Sequence, residues 1–165
     1  MGGGGGSSRS LTSEETRKLS DLVARKISEA AKPKRNVFLS FAAESLDEVN
    51  LLRGQAKNEN TDIEFNDWSL RAPFDSKNSE YIRSGIRDRI RQCSVTVVFL
   101  SQEAALSKWV DWEIRESIRL GRGVIAMYRG DNPPARLPPA ISEGNIRVVP
   151  WNHEQLSAAI DKASK

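Results

Sequence analysis

The chain has 165 residues, 38% of them hydrophobic and 28% charged, with a net charge of +3. That length fits one domain with one core, and a longest apolar run of only Val95 to Leu100 excludes a bilayer-spanning helix, which needs ~20 apolar residues. Residues 1–35 hold eight Lys/Arg against four acids and the other 130 hold 17 against 18, so the globular part lacks the basic stripe that a nucleic-acid partner requires.

The opening residues are glycine, serine and charge, without the apolar segment of a secretory signal. Gly2 is not followed by the Ser or Thr that myristoylation wants, because the sixth residue is Gly6. One cysteine, Cys93, forbids an internal disulfide and fits a cytoplasmic setting. Cys93 ends a helical apolar stripe and reads as a small buried hydrophobe. With His153 as the only histidine, neither a zinc site nor a mechanism built on a Ser-His or Cys-His pair is expected.

Residues 1–10 form a flexible Gly/Ser leader. Thr12-Ser13-Glu14-Glu15 then gives an N-cap with acids in the first turn. Leu11, Leu19, Leu22, Val23, Ile27 and Ala30 continue as a helical stripe until Pro33. Residues 11–33 are therefore an N-terminal helical segment, with the helix itself at 12–31. It either packs or solvates the domain, or self-associates through the stripe.

From residue 34 onward strands and helices alternate. Strands are expected at Asn36 to Phe41, Asp62 to Trp68, Ser94 to Leu100, Val124 to Met127 and Ile146 to Trp151. Helices are expected at Ser45 to Lys57, Asn78 to Gln92, Leu106 to Leu120 and from Asn152 to Ala163. Residues 129–144 hold four of the seven prolines and read as a loop. Ser94 to Leu100 is the most apolar strand and belongs at the centre. Alternation of this kind demands parallel strands with right-handed crossovers. Five strands with helices on both faces give a flavodoxin-like sheet of order 2-1-3-4-5.

In that order the switch point lies between strands one and three, and ligand belongs above their carboxyl ends. The segments there are Ser40 to Asp47 and Ser101 to Glu113, with Asp67 to Ser76 alongside. No Gly-x-Gly-x-x-Gly or Walker loop is present, and the N-terminal glycines precede no strand. An acidic pair after strand one and a phosphoacceptor Asp ending strand three would mark a response regulator. Strand three ends Phe99-Leu100-Ser101, which argues against one.

The run Ser107-Lys108-Trp109-Val110-Asp111-Trp112-Glu113-Ile114 is the most informative in the chain. Ser107 is its N-cap, and Val110, Ile114, Ser117 and Ile118 form the core face. Trp109, Trp112, Glu113 and Glu116 fall on the adjacent shoulder. A carboxylate beside indoles can polarise ribose hydroxyls or stabilise the positive charge that develops as a glycosidic bond breaks. The plainer reading is a surface glutamate with packing tryptophans. Arg83, Arg87, Arg89 and Arg91 read as a solvated face, with an assembly surface as the alternative. Trp68 and Trp151 read as strand-end packing.

Five segments share a pattern with known proteins. They are Val37 to Phe41; Phe65-Asn66-Asp67-Trp68-Ser69-Leu70; Ile82 to Ile90; Val95 to Ser101; and Ser107 to Ile114 with Leu120-Gly121-Arg122-Gly123-Val124-Ile125 behind it. On these, residues from Lys34 to about Trp151 resemble the TIR-like family of bacterial immune proteins, in the branch found as the TIR protein of Thoeris anti-phage systems. The last segment is the most specific.

The resemblance implies a flavodoxin-like TIR fold over residues 34–165, in agreement with the sheet derived above. It also implies an enzyme that cleaves the nicotinamide–ribose bond of NAD as substrate, with no cofactor. Many relatives then cyclise or transfer the ADP-ribose, and in phage defence a cyclic ADP-ribose-type signal reaches a separate effector. The catalytic residue carried over is Glu113, one turn after Trp109, which would stack on a ring of the substrate. Ser40, Phe41, Asp67 and Ser69 are the further pocket residues, and no metal is implied. Partners implied are NAD, a phage-derived activator and copies of the domain assembling through TIR surfaces; from charge and hydropathy, no nucleic acid and no membrane are expected. The chain departs from the family at Ala42-Ala43, where many relatives carry a polar residue and then an Asp. On that departure and on the long loop 129–144 rests the alternative of a non-catalytic TIR-like scaffold or sensor acting by assembly.

Overall fold

The computed structural model describes residues 9–30, 34–58, 63–67 and 72–164. The chain divides into two units, Met1–Pro33 and Lys34–Lys165.

In the first unit, helix α1 spans Ser13–Ala30. Thr12 and Glu15 form a capping box. The Glu15 amide donates to Thr12 Oγ1 at 3.2 Å, and the Thr12 amide donates to Glu15 Oε2 at 2.9 Å.

The second unit runs β1 (Arg35–Ser40), a 3-10 turn (Ala43–Ser45), α2 (Leu46–Asn58), β2 (Ile63–Asn66), α3 (Ser79–Gln92) and β3 (Val95–Leu100). It continues with a second 3-10 turn (Ala104–Leu106), α4 (Lys108–Arg119), β4 (Gly123–Tyr128), α5 (Pro139–Glu143), β5 (Arg147–Pro150) and α6 (His153–Ala163). The strands form one sheet of order β2-β1-β3-β4-β5, and all neighbouring pairs are parallel. The fold is the flavodoxin-like, TIR-like α/β arrangement.

Burial follows from composition. β3 is buried at every position, as its run of β-branched and aromatic residues requires of a strand covered on both faces. One face carries Val37, Leu39, Val97, Phe99, Ile125 and Met127 against α2 and α6, through Val49, Leu52, Leu156 and Ile160. The other carries Phe38, Val98, Leu100 and Ala126, and faces α3, α4 and α5. The Ile82, Ile86, Ile90 stripe of α3 is buried there. Gly121 ends α4 at φ +72°, where its N–H donates to the Ile118 carbonyl and that of Arg122 to the Ser117 carbonyl. This is a Schellman ending, which favours glycine.

Two expectations about the elements are corrected. Residues 129–144 are not all loop, because Pro138 and Pro139 open the short helix α5; proline is pre-organised for a first helical turn and lacks only an amide that has no helical partner there. Ile118 is not on the core face of α4, being 47% exposed, whereas Glu113 and Glu116 are buried. Among the described residues no helix is long and apolar enough to cross a membrane.

Candidate active site

β1 and β3 are neighbours whose crossovers depart in opposite directions, toward β2 and toward β4. Their carboxyl ends therefore form the switch-point crevice. The loops leaving them are tied together: Ser45 Oγ donates to Ser101 Oγ at 3.0 Å, and Ser101 Oγ accepts from the Ala104 amide at 3.1 Å. Ser40 pairs in register with Val98, so it lies on the sheet face that α4 covers. It is fully buried, and its hydroxyl has no hydrogen-bond partner among the described residues. Phe41, the next residue, belongs to the core of the opposite face. The alternation of a strand thus separates two residues that are adjacent in sequence.

α4 begins where Ser107 Oγ accepts from the Val110 amide at 3.2 Å. Its sequence then sorts its carboxylates by direction. Asp111 Oδ1 accepts from the Ala140 amide at 2.9 Å and its other oxygen from Arg115 at 2.7 Å, so Asp111 caps α5. Glu113 points the other way and is fully buried. The turn that carries it is held from the sheet: Ser117 Oγ donates to the Glu113 carbonyl at 2.7 Å, and the Ser117 and Thr96 hydroxyls lie 2.7 Å apart. Since the Ser117 proton goes to the carbonyl, Thr96 is the donor of the second bond.

Trp109, one turn before Glu113, is 7% exposed. Its indole N–H donates to the Ala72 carbonyl at 2.8 Å. Its ring meets those of Phe74 and Trp112 edge-on, at 4.9 Å and 6.0 Å between centroids. Glu116, one turn further, is a buried carboxylate held by two guanidinium groups. Arg87 Nε donates to it at 2.8 Å, and Arg119 binds it from one turn ahead. Its pKa is lowered, first by the hydrogen bond from Arg119 and then by that from Arg87, against the opposing effect of burial.

Arg83 and Arg87 are therefore not a solvated face but the α3 side of the α3–α4 contact, both over the Trp112 ring. Their i, i+4 spacing beside the buried Ile82 and Ile86 is the signal that could have placed them there. Cys93 is buried beneath the same contact, and desolvation raises its pKa.

The structure brings Glu113 and Trp109 together on one flank of α4 and sets Ser40 on the sheet face beneath that helix. Asp67 is engaged elsewhere: its carboxylate pairs with Arg53 of α2 at 2.6 Å, anchoring the end of β2. Ser69 and Trp68 lie outside the described residues. Trp151 packs at the end of β5, edge-on to Phe99 at 6.0 Å. Two recesses, of about 480 Å³ beside Trp151 and His153 and about 360 Å³ between α4 and α5, are not lined by Glu113.

The five parallel strands in the order β2-β1-β3-β4-β5, with helices on both faces, make this a TIR-like α/β domain. The chain belongs to the family described as Thoeris protein ThsB, TIR-like domain, whose model matches residues 38–133. Comparison with curated proteins found no match. Among solved structures it is similar to the TIR domain of the Toll-related receptor TRR-2 of Hydra magnipapillata, at 15% identity over 76% of this chain and 91% of that one, TM-score 0.47. It is also similar to the TIR domains of the activated Roq1 resistosome recognising the pathogen effector XopQ, at 19% identity over 60% of each chain, TM-score 0.42. A third is the Clostridium botulinum CMP N-glycosidase BcmB, at 16% identity over 78% of this chain and 97% of that one, TM-score 0.46.

Proposed function

We propose that this TIR-like domain cleaves the nicotinamide–ribose bond of NAD and closes the ADP-ribose into a cyclic signalling nucleotide, with Glu113 as the catalytic carboxylate. The observation that carries the reading is the placement of Glu113. It is a wholly buried carboxylate, one turn after Trp109, on the helix that follows the central strand at the switch point.

When the glycosidic bond breaks, its electron pair neutralises the pyridinium nitrogen and nicotinamide departs. Positive charge then develops on the ribose. A fixed carboxylate in a water-poor site stabilises that charge without reorganising, an effect worth on the order of 10²–10³ in rate. Capture by water gives linear ADP-ribose and a proton. Capture by a nucleophile of the same nucleotide gives the cyclic product. Trp109 supplies the aromatic surface for a ring of the substrate. Ser40 adds a buried hydroxyl on the same side of the sheet. A phage-derived trigger and self-assembly through TIR surfaces complete the proposal, with the product acting on a separate effector.

A second reading, a non-catalytic module that works by assembly, is favoured by the closed state of the site. Glu113 has no exposed surface, and Ala42, at the position where the resemblance leads one to expect a polar residue, is buried. The two readings separate by mass spectrometry of nicotinamide and nucleotides in cells carrying the wild type or Glu113→Gln, with and without phage challenge. Product from the wild type alone supports catalysis, and its mass distinguishes cyclic from linear ADP-ribose. No product in any condition from a folded protein supports the assembly module. Product from both forms removes Glu113 from the mechanism.

A further inference from the structure

Arg83 lies one turn into α3, on the flank that meets α4. Its guanidinium carbon is 4.3 Å from the centre of the Phe74 ring and 5.8 Å from those of Trp109 and Trp112. The side chain is only 20% exposed, yet the carboxylate it faces, Glu80, is 3.7 Å away and 71% exposed. Its other contacts are long: 3.4 Å to Ser79 Oγ and 3.3 Å to the Phe74 carbonyl. Its Nε is buried without an acceptor among the described residues. Arg87, one turn on, shows what a satisfied neighbour looks like, with Glu116 at 2.8 Å and Glu80 at 3.0 Å.

Aromatic faces offset part of the cost of sheltering a cation, but they leave the donors of the guanidinium fork under-used. That fork matches the oxygens of a phosphoryl group. The start of α3 adds to the effect. Asn78 places no side-chain cap on it, so the positive end of the helix dipole also favours an anion there. Trp109 links the two features, since it borders Arg83 and precedes Glu113 by one turn.

We propose that Arg83 binds the diphosphate of a nucleotide substrate, forming an anion seat beside the Trp109–Glu113 turn. The inference rests on the N-glycosidase reading for the identity of the substrate. A diphosphate joined to the ribose under attack would hold that ribose against α4, and phosphoryl oxygens would replace the long contacts to Ser79 and Phe74.

The test is calorimetric titration of the full chain carrying Glu113→Gln, with ADP-ribose, inorganic pyrophosphate and nicotinamide riboside as probes. Adding Arg83→Met should weaken ADP-ribose and pyrophosphate by about tenfold or more, as loss of a charge-assisted fork does. Arg83→Lys should fall between, and nicotinamide riboside should bind as before. Arg83→Lys, which keeps the charge, decides the matter should Arg83→Met fail to fold. Undiminished pyrophosphate and ADP-ribose binding in the variants overturns the proposal, as does the absence of binding to the Glu113→Gln parent. The two readings fail separately. Arg83-dependent pyrophosphate binding without NAD cleavage by the wild type leaves the anion seat and removes the glycosidase. NAD cleavage with an unchanged KM in Arg83→Lys does the reverse.

Discussion

Replacing Thr96 by Val and Ser117 by Ala, singly and together, measures how firmly the turn carrying Glu113 is tied to the sheet. Both hydroxyls are fully buried. The bonds run in one direction, from Thr96 to Ser117 and from Ser117 to the Glu113 carbonyl, each 2.7 Å long. Ser117→Ala removes both bonds and strands the Thr96 hydroxyl as a buried donor, a cost of about 1–3 kcal/mol. Thr96→Val keeps the shape and leaves the Ser117 bond to the carbonyl in place, so it costs about 0.5–1.5 kcal/mol. The double variant strands nothing. Its destabilisation should fall short of the sum of the singles by about 1 kcal/mol, because the orphaned-donor penalty is absent. Urea unfolding of the four proteins reads this directly. Additivity within ~0.3 kcal/mol would show that the two hydroxyls do not act as a chain and would refute the tie from β3 to the Glu113 turn.

The remaining predictions concern the frame around the site. A Cβ at Gly123 would stand 2.1 Å from the Ala163 carbonyl oxygen and 2.8 Å from its carbon. Gly123→Ala must therefore displace the end of α6 and should cost about 1–3 kcal/mol; an unchanged melting temperature would contradict the packing described. Glu116 gives the fold an acid limit. Its folded pKa is below the ordinary value of 4.5, so the unfolded chain takes up the proton first as pH falls. The stability contributed is whole above the ordinary carboxylate range and is lost as pH drops through the lower, folded value. Urea midpoints measured from about pH 6 down to about pH 3 should fall less steeply in Glu116→Gln than in the wild type, and equal slopes would refute the assignment.

Much of this architecture is legible in the residues. β3 announces itself because both its faces are apolar, and the strand–helix alternation leaves few sheet orders to consider. The Trp109-to-Glu113 turn is visible as spacing alone. What hides is whatever depends on a partner distant in sequence. Glu116 looks like a surface charge until α3 is laid against α4, and only then does Arg87 meet it across 29 residues. Asp67 has the composition of a pocket residue but is claimed by Arg53 of α2. α5 is concealed by prolines that more often mark loops, although one at a first helical position starts a helix as readily as it prevents one.

The first strand of the α/β unit is fastened by its last helix. Arg35 opens β1, and its guanidinium bonds Asp161 at 2.5 Å and the Ser157 hydroxyl at 2.7 Å, both on α6. In mechanical terms, tension entering at residue 34 meets this clasp first. It then loads β1, a strand flanked by β2 and β3, along its length, so both parallel ladders resist in shear and their bonds must yield together rather than unzip one by one. A pull on the unit's opposite end is met at the same clasp, so the two extremities of the fold share one point of strain.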